Sequence, residues 1–165
     1  MAHAYFIDFE AFQHGEEDPQ VKELCIMDAS RPMEPLYYVF QSNMNWEELP
    51  PEIQSTYNYN TRRIHHLHWL DGITRYCKEC IMHHLKTKFT NWQNGLFYVL
   101  DKVEGPKVKF LKQEFPQLNV VNYNGLTFKT LPIPSIHMDC PYRQHGKHCA
   151  FQKCLQLYTH FHSIN

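Results

Sequence analysis

Asp8 and Glu10 stand two residues apart in FIDFEAF (Phe6–Phe12), a run that is otherwise apolar. On a strand, side chains two apart share a face, so these carboxylates would lie side by side. Such neighbours repel unless a cation sits between them, and two-metal nucleases use a pair of this kind to hold Mg²⁺ or Mn²⁺. An acidic strand end in solvent carries the same pattern without a metal. A second group lies near the C-terminus, where CPYRQHGKHCAFQKC gathers Cys140, His145, His148, Cys149 and Cys154. Zn²⁺ takes four ligands from Cys, His and carboxylate, and short spacing lets one loop supply several of them. Buried thiols and hydrogen-bonded histidines are the plainer explanation of that block. Cys77, Cys80, His83 and His84 form a third string, CxxCxxHH, with the look of a further metal motif.

The hydrophobic pattern shows which elements must position these groups. Ala4–Glu10, Val21–Asp28 and Pro35–Gln41 are compact runs rich in apolar, β-branched and aromatic residues, separated by the turn-rich Gln13–Gln20 and Ala29–Glu34. They predict three strands in an antiparallel meander. Trp46–Tyr57 holds about one helical turn after Pro50-Pro51. Gly72–Trp92 places Ile73, Cys77, Cys80, Ile81, Leu85, Phe89 and Trp92 three and four apart, which predicts an amphipathic helix. Leu96–Leu100 and Leu118–Val121 are short strands, Pro106–Phe115 a helix with proline in its first turn, and His148–His162 a closing helix. The order β-β-β-α-β-α-β-α predicts an α/β fold, a mixed five-stranded sheet with helices on both faces, which is the element order of ribonuclease H-like folds. No repeat or linker divides the chain, so residues 1–165 are read as one domain. On these elements Cys77 and Cys80 fall on the apolar stripe of their helix and Cys25 inside its strand, all three as core. Cys154 shares the apolar face of the closing helix with Phe151, Leu155, Tyr158 and Phe161, whereas Cys149 lies off that face, as a ligand would.

The composition, 43% hydrophobic and 20% charged in 165 residues, excludes a disordered or fibrous chain. No apolar run approaches the roughly 18 residues of a membrane span. The first dozen residues lack a basic lead and carry Asp8 and Glu10, unlike a secretory signal. Six cysteines then suggest an intracellular compartment, cytoplasmic or nuclear, with thiols free or metal-bound. The net charge of −1 conceals an asymmetry: residues 1–54 hold 11 acids against Lys22 and Arg31, and the remainder holds 14 Lys/Arg against 6 acids. Polyanions would prefer the second part.

FIDFEAF resembles the first motif of DEDD-type 3′–5′ exonucleases, and HCAFQK (His148–Lys153) resembles their last, a histidine followed five residues later by a metal-binding aspartate. Lysine stands in that aspartate's place here, and an ammonium binds no Mg²⁺ but can neutralise Asp8 and Glu10. Asp101, after the strand LFYVL, is the candidate for the middle acid, and Asp139 another. The C-terminal block resembles the domain of Maelstrom proteins, a ribonuclease H-like domain with a Glu-Cys-His-Cys zinc site in place of the DEDD carboxylates. It is also similar to a looser set of uncharacterised arthropod proteins, often linked to mobile elements, with a KEL strand and a Cys-Pro-Tyr-His…Cys-Ala ending. The resemblance implies a structural Zn²⁺ held by Glu23 of LysGluLeu, Cys140 and Cys149. Arg143 stands where the family's histidine would be, so the histidine ligand becomes His145, with His148 as the alternative. Small-RNA silencing of transposons, with protein partners, is the implied setting.

Arg62, Arg63, His65, His66 and His68 cluster near Tyr57, Tyr59 and Trp69, and Lys102, Lys107, Lys109 and Lys112 surround the following helix. Cations interleaved with aromatics suit single-stranded RNA or DNA, where charges meet phosphates and rings stack on bases. Three functions follow as expectations. The first is a zinc-stabilised domain that binds single strands through Arg62, Arg63, His65, His66, Lys107 and Lys109. The others are an active nuclease using Asp8 and Glu10 with Mg²⁺ or Mn²⁺, and a protein-interaction scaffold.

Overall fold

A computed structural model of the chain describes residues 2–103, 105–123 and 131–164. Three strands, β1 (His3–Phe12), β2 (Gln20–Asp28) and β3 (Arg31–Val39), form the meander. Helix α1 (Pro51–Asn60) runs into a π-helical turn, Thr61–His65, and is followed by α2 (Lys78–Lys88), β4 (Gly95–Val99), α3 (Pro106–Glu114), β5 (Val120–Asn122) and α4 (Ala150–Ile164). The five strands lie in the order β3-β2-β1-β4-β5. β1 pairs antiparallel with β2 and parallel with β4, and β5 is parallel to β4. This is the mixed sheet that the sequence pattern predicts.

β1 is the central strand and is buried continuously from Ala4 to Glu10, because both sheet faces are covered. On one face Tyr5, Ile7, Phe97 and Val99 pack against Ile81, Met82 and Leu85 of α2 and Leu111 of α3. On the other, Phe6, Cys25 and Met27 meet Phe151, Cys154, Leu155 and Leu157 of α4. Asp8 and Glu10 continue the α4 face of β1 beyond Phe6, past the residues that pair with β4. They therefore lie deep in the protein, at the carboxyl end of its central strand.

Two helices differ from expectation. α1 is ten residues long rather than one turn, although Tyr57 and Asn60 are its only buried side chains. Proline in its first turn starts it, and Tyr57 anchors it to Phe12, Leu49 and Trp69. α2 is shorter, because its expected first turn is held in another conformation: Thr74 bridges Phe40, and Gly72 adopts φ +111°. A Cβ on Gly72 would collide with the Phe40 carbonyl oxygen. The helix begins only at Lys78, so Cys77 caps it and Cys80 is exposed, and the two form a disulfide instead of packing in the core. Cys25 and Cys154 are core, as their positions predict. Among the described residues no helix is long and apolar enough to cross a membrane.

Candidate functional site

Glu23 faces Glu10 directly across the β1–β2 ladder, beside a register shift between Glu10 and Ala11. It is fully buried. Its Oε1 accepts the Ala150 N–H at 2.7 Å, satisfying a donor at the start of α4 that has no intrahelical partner. Its Oε2 lies 2.7 Å from His145 Nε2 and accepts from the thiols of Cys140 and Cys149 at 3.7 and 3.8 Å and from the Tyr37 hydroxyl. One ligand atom from each of Glu23, Cys140, His145 and Cys149 falls within 4.8 Å of the other three, and all four residues are buried. Cys149 arrives immediately before α4, and Cys140 and His145 come from the loop that precedes it.

The histidine is oriented from behind. His145 Nδ1 lies 2.7 Å from the His65 carbonyl oxygen, which can only accept, so Nδ1 carries a proton and Nε2 is turned towards Glu23. Metal-binding histidines are commonly fixed in this manner. The loop is held further by Arg143, which donates to the His66 carbonyl and to Asp71 at 2.9 and 3.1 Å. Gly146, at φ +97°, packs where a Cβ would lie 2.9 Å from the His66 ring.

This group fits a divalent metal by its chemistry. Burial raises the Glu23 carboxyl despite the hydrogen bonds that oppose it. The Cys140 thiol is lowered to about 3, first by its hydrogen bond with Cys149 and then by His145 and Tyr37, while Cys149 is pushed up by the same bond and by burial. Burial lowers His145, but its bonds to Cys140 and Glu23 outweigh that and hold it up at about 10. Crowded out of water, the Glu23 carboxyl and the two thiols thus cannot all give up their protons together. A metal would let all of them ionise at once. A set of two sulfurs, one imidazole and one carboxylate suits zinc. His148, the alternative ligand, stands outside the group: it is half-buried, lowered first by burial, and lies in the field of Lys153 and Glu10.

Asp8 and Glu10 have a different set of neighbours. Lys107 Nζ, from the first turn of α3, bridges Asp8 Oδ1 at 2.7 Å and Glu10 Oε2 at 3.0 Å. Lys153 Nζ, from α4, lies 3.3 Å from Glu10 and 3.6 Å from Asp8. Burial raises both carboxyls. At Glu10 the lysines outweigh it and bring the group down to about 2, whereas at Asp8 burial prevails and the group stays raised. Two ammonium groups therefore occupy the space in which divalent ions would sit. Lys107, expected to face nucleic acid, is engaged here, because α3 starts beside the carboxyl end of β1. Asp101 supplies no third carboxylate to the pair: its oxygens accept the N–H groups of Lys102 and Val108, at 2.9 and 3.0 Å, and so cap α3. Asp139 is exposed and accepts from Gln144.

Of the remaining expected surface residues, Arg62, Arg63 and His66 are exposed on the π-helical turn and just after it, Tyr59 is exposed on α1, and Lys109 on α3. His65 is different: it is wholly buried, accepts the Leu67 N–H, meets the edge of Phe12, and is lowered by burial to about 4. It is neutral at pH 7, and its contribution is the carbonyl that orients His145. Tyr57 and Trp69 are stacked in the core and offer no face to a base. Sequence reasoning missed Tyr37 as a site residue, and it assigned Lys107 to nucleic acid rather than to Asp8 and Glu10. Tyr37 carries no signal beyond its place on β3, and Lys107 reads as one surface lysine among several. No family model matches the chain, and no curated protein matches it.

Proposed function

We propose that the chain is a ribonuclease H-like domain, stabilised by one zinc ion, that binds single-stranded nucleic acid and has lost exonuclease chemistry. The observation that carries this reading is the closure of Lys107 and Lys153 on Asp8 and Glu10. The meander followed by two parallel strands agrees with the proposed fold, and Lys153 reaches the carboxylates from the position where the exonuclease motif has its aspartate. The Glu-Cys-His-Cys group agrees with the likeness to Maelstrom domains, including His145 in place of the family's histidine. When bound, zinc would tie β2 to the loop before α4 and supply no open coordination position for substrate.

Binding is assigned to the exposed turn that carries Arg62, Arg63 and His66, with Tyr59 nearby in the chain. Charge reversal of Arg62 and Arg63 to Glu should weaken binding of single-stranded RNA regardless of its sequence. It should also reduce the slope of log affinity against log salt by about 1 for each phosphate no longer neutralised. Titrations of labelled oligonucleotide at several salt concentrations measure both quantities, with zinc content as the check that the fold is intact. Unchanged affinity and slope in a zinc-replete variant would contradict this interface, and absence of binding by the wild type would leave the scaffold function.

A further inference from the structure

We propose that Cys77 and Cys80 are a redox site, a dithiol that closes and reopens by exchange with small disulfides and thiols without involving the metal-site cysteines. The pair forms a disulfide, with Cα atoms 5.2 Å apart, across the start of α2. Cys77 is the N-cap, and its sulfur accepts the Cys80 N–H at 3.1 Å, so on reduction a thiolate there would meet the positive end of an eleven-residue helix. Glu79 lies 3.9 Å from the Cys77 sulfur and is the nearby opposing charge. Cys80 is exposed and Cys77 half-buried, so an external disulfide can reach the pair.

The other four cysteines are shielded. Cys25, Cys140, Cys149 and Cys154 are buried on the α4 side of the sheet, whereas α2 packs on the opposite face through Ile81, Met82 and Leu85. Susceptibility to oxidation follows thiolate character and access. The two sets of thiols should therefore respond separately.

The exchange balances with a low-molecular-weight disulfide as oxidant. A thiolate of the pair attacks one sulfur of the external disulfide, and a protein–small-molecule S–S bond forms as the external S–S bond breaks, releasing one small thiolate. The second cysteine thiolate then attacks the protein sulfur of that mixed disulfide. The Cys77–Cys80 bond forms, and the second small thiolate leaves. The two protein sulfurs are oxidised, the external disulfide is reduced to two thiols, and the protons of the dithiol pass to them. An excess of small thiol runs the steps in reverse. The switch acts where α2 is docked on α3, since Tyr76 donates to Glu114 at 2.8 Å and Lys78 pairs with the same residue.

The test uses the full chain loaded with zinc and equilibrated in buffers of varied reduced-to-oxidised glutathione ratio. Thiols are then trapped by alkylation, and mass spectrometry locates them by peptide. The expected result is one two-electron transition confined to the peptide holding Cys77 and Cys80, with zinc content unchanged throughout. The Cys80→Ser variant should accumulate a glutathione mixed disulfide on Cys77 in place of the internal bond. A pair that stays reduced at every ratio would overturn the proposal. So would oxidation that appears only as zinc is released, or loss of one zinc equivalent in Cys77→Ser, which would make the pair a metal site.

Discussion

Cys149→Ser is expected to purify without its zinc and to unfold at markedly lower urea than the wild type. A ligand that binds only the folded state adds about 4 kcal/mol when its free concentration stands a thousand-fold above Kd, and a structural zinc site readily reaches that regime. The loss should be large because the group joins β2, through Glu23, to the loop and helix that cover one face of the sheet. Chelation of the wild type should reproduce it, and should also raise amide exchange in residues 61–68, whose His65 and His66 carbonyls hold His145 and Arg143. Two controls separate metal loss from simple packing. Cys77→Ser lies across the sheet and Cys154→Ser lies on the core face of α4, so both should keep the metal, the second at the cost of a core substitution. Equal zinc content in Cys149→Ser and wild type would contradict the assignment.

Glu10→Gln should produce the other large change. Removing one carboxylate leaves Lys107 and Lys153 beside Asp8 alone, and breaking a buried ion pair from one side costs roughly 3–5 kcal/mol. The effect should depend on pH. In the folded chain Glu10 titrates near 2, below its ordinary value of 4.5, so its contribution is complete above 4.5 and is lost as pH falls towards 2. The stability gap between wild type and Glu10→Gln should therefore be constant at neutral pH and shrink on acidification through that window. A gap that widens in acid would mean that Glu10 is not held ionised by the lysines. The same pairing predicts that the wild type gives no Mg²⁺- or Mn²⁺-dependent 3′–5′ digestion of single strands. Ladder-like products that disappear in Glu10→Gln would show that metals displace the lysines and that the chain is a nuclease.

Much of this arrangement was legible in local patterns. Strand runs such as PLYYVFQ and the apolar face of the closing helix mark their elements, because burial on a sheet or a helix imposes its own period on the sequence. Glu23 lies beside Glu10 because, in a simple hairpin, the start of β2 must lie beside the end of β1. What escaped was set by interactions between distant segments. The stripe of Gly72–Trp92 has helical spacing, yet the segment from Gly72 to Thr74 is claimed by Phe40, and only tertiary pairing decides that competition. Lys107 resembles Lys109 and Lys112 in sequence. It differs because the first turn of α3 opens onto the buried end of β1, where the carboxylates of Asp8 and Glu10 hold it. His65 likewise belongs to a basic string by type but to the core by position, since the π-helical turn directs it at Phe12 while Arg62 and Arg63 remain outside.

X-ray absorption at the zinc edge of the purified wild-type chain decides the identity of the metal centre, because it reports ligand type, number and distance together. The Glu23-Cys140-His145-Cys149 centre predicts one zinc per chain with two sulfur neighbours at about 2.3 Å and two lighter neighbours, nitrogen and oxygen, at about 2.0–2.2 Å. In Cys149→Ser that sulfur shell should vanish together with the metal. A shell of nitrogen and oxygen alone, or a chain that binds no zinc when refolded with it, would show that these four residues do not form a zinc centre.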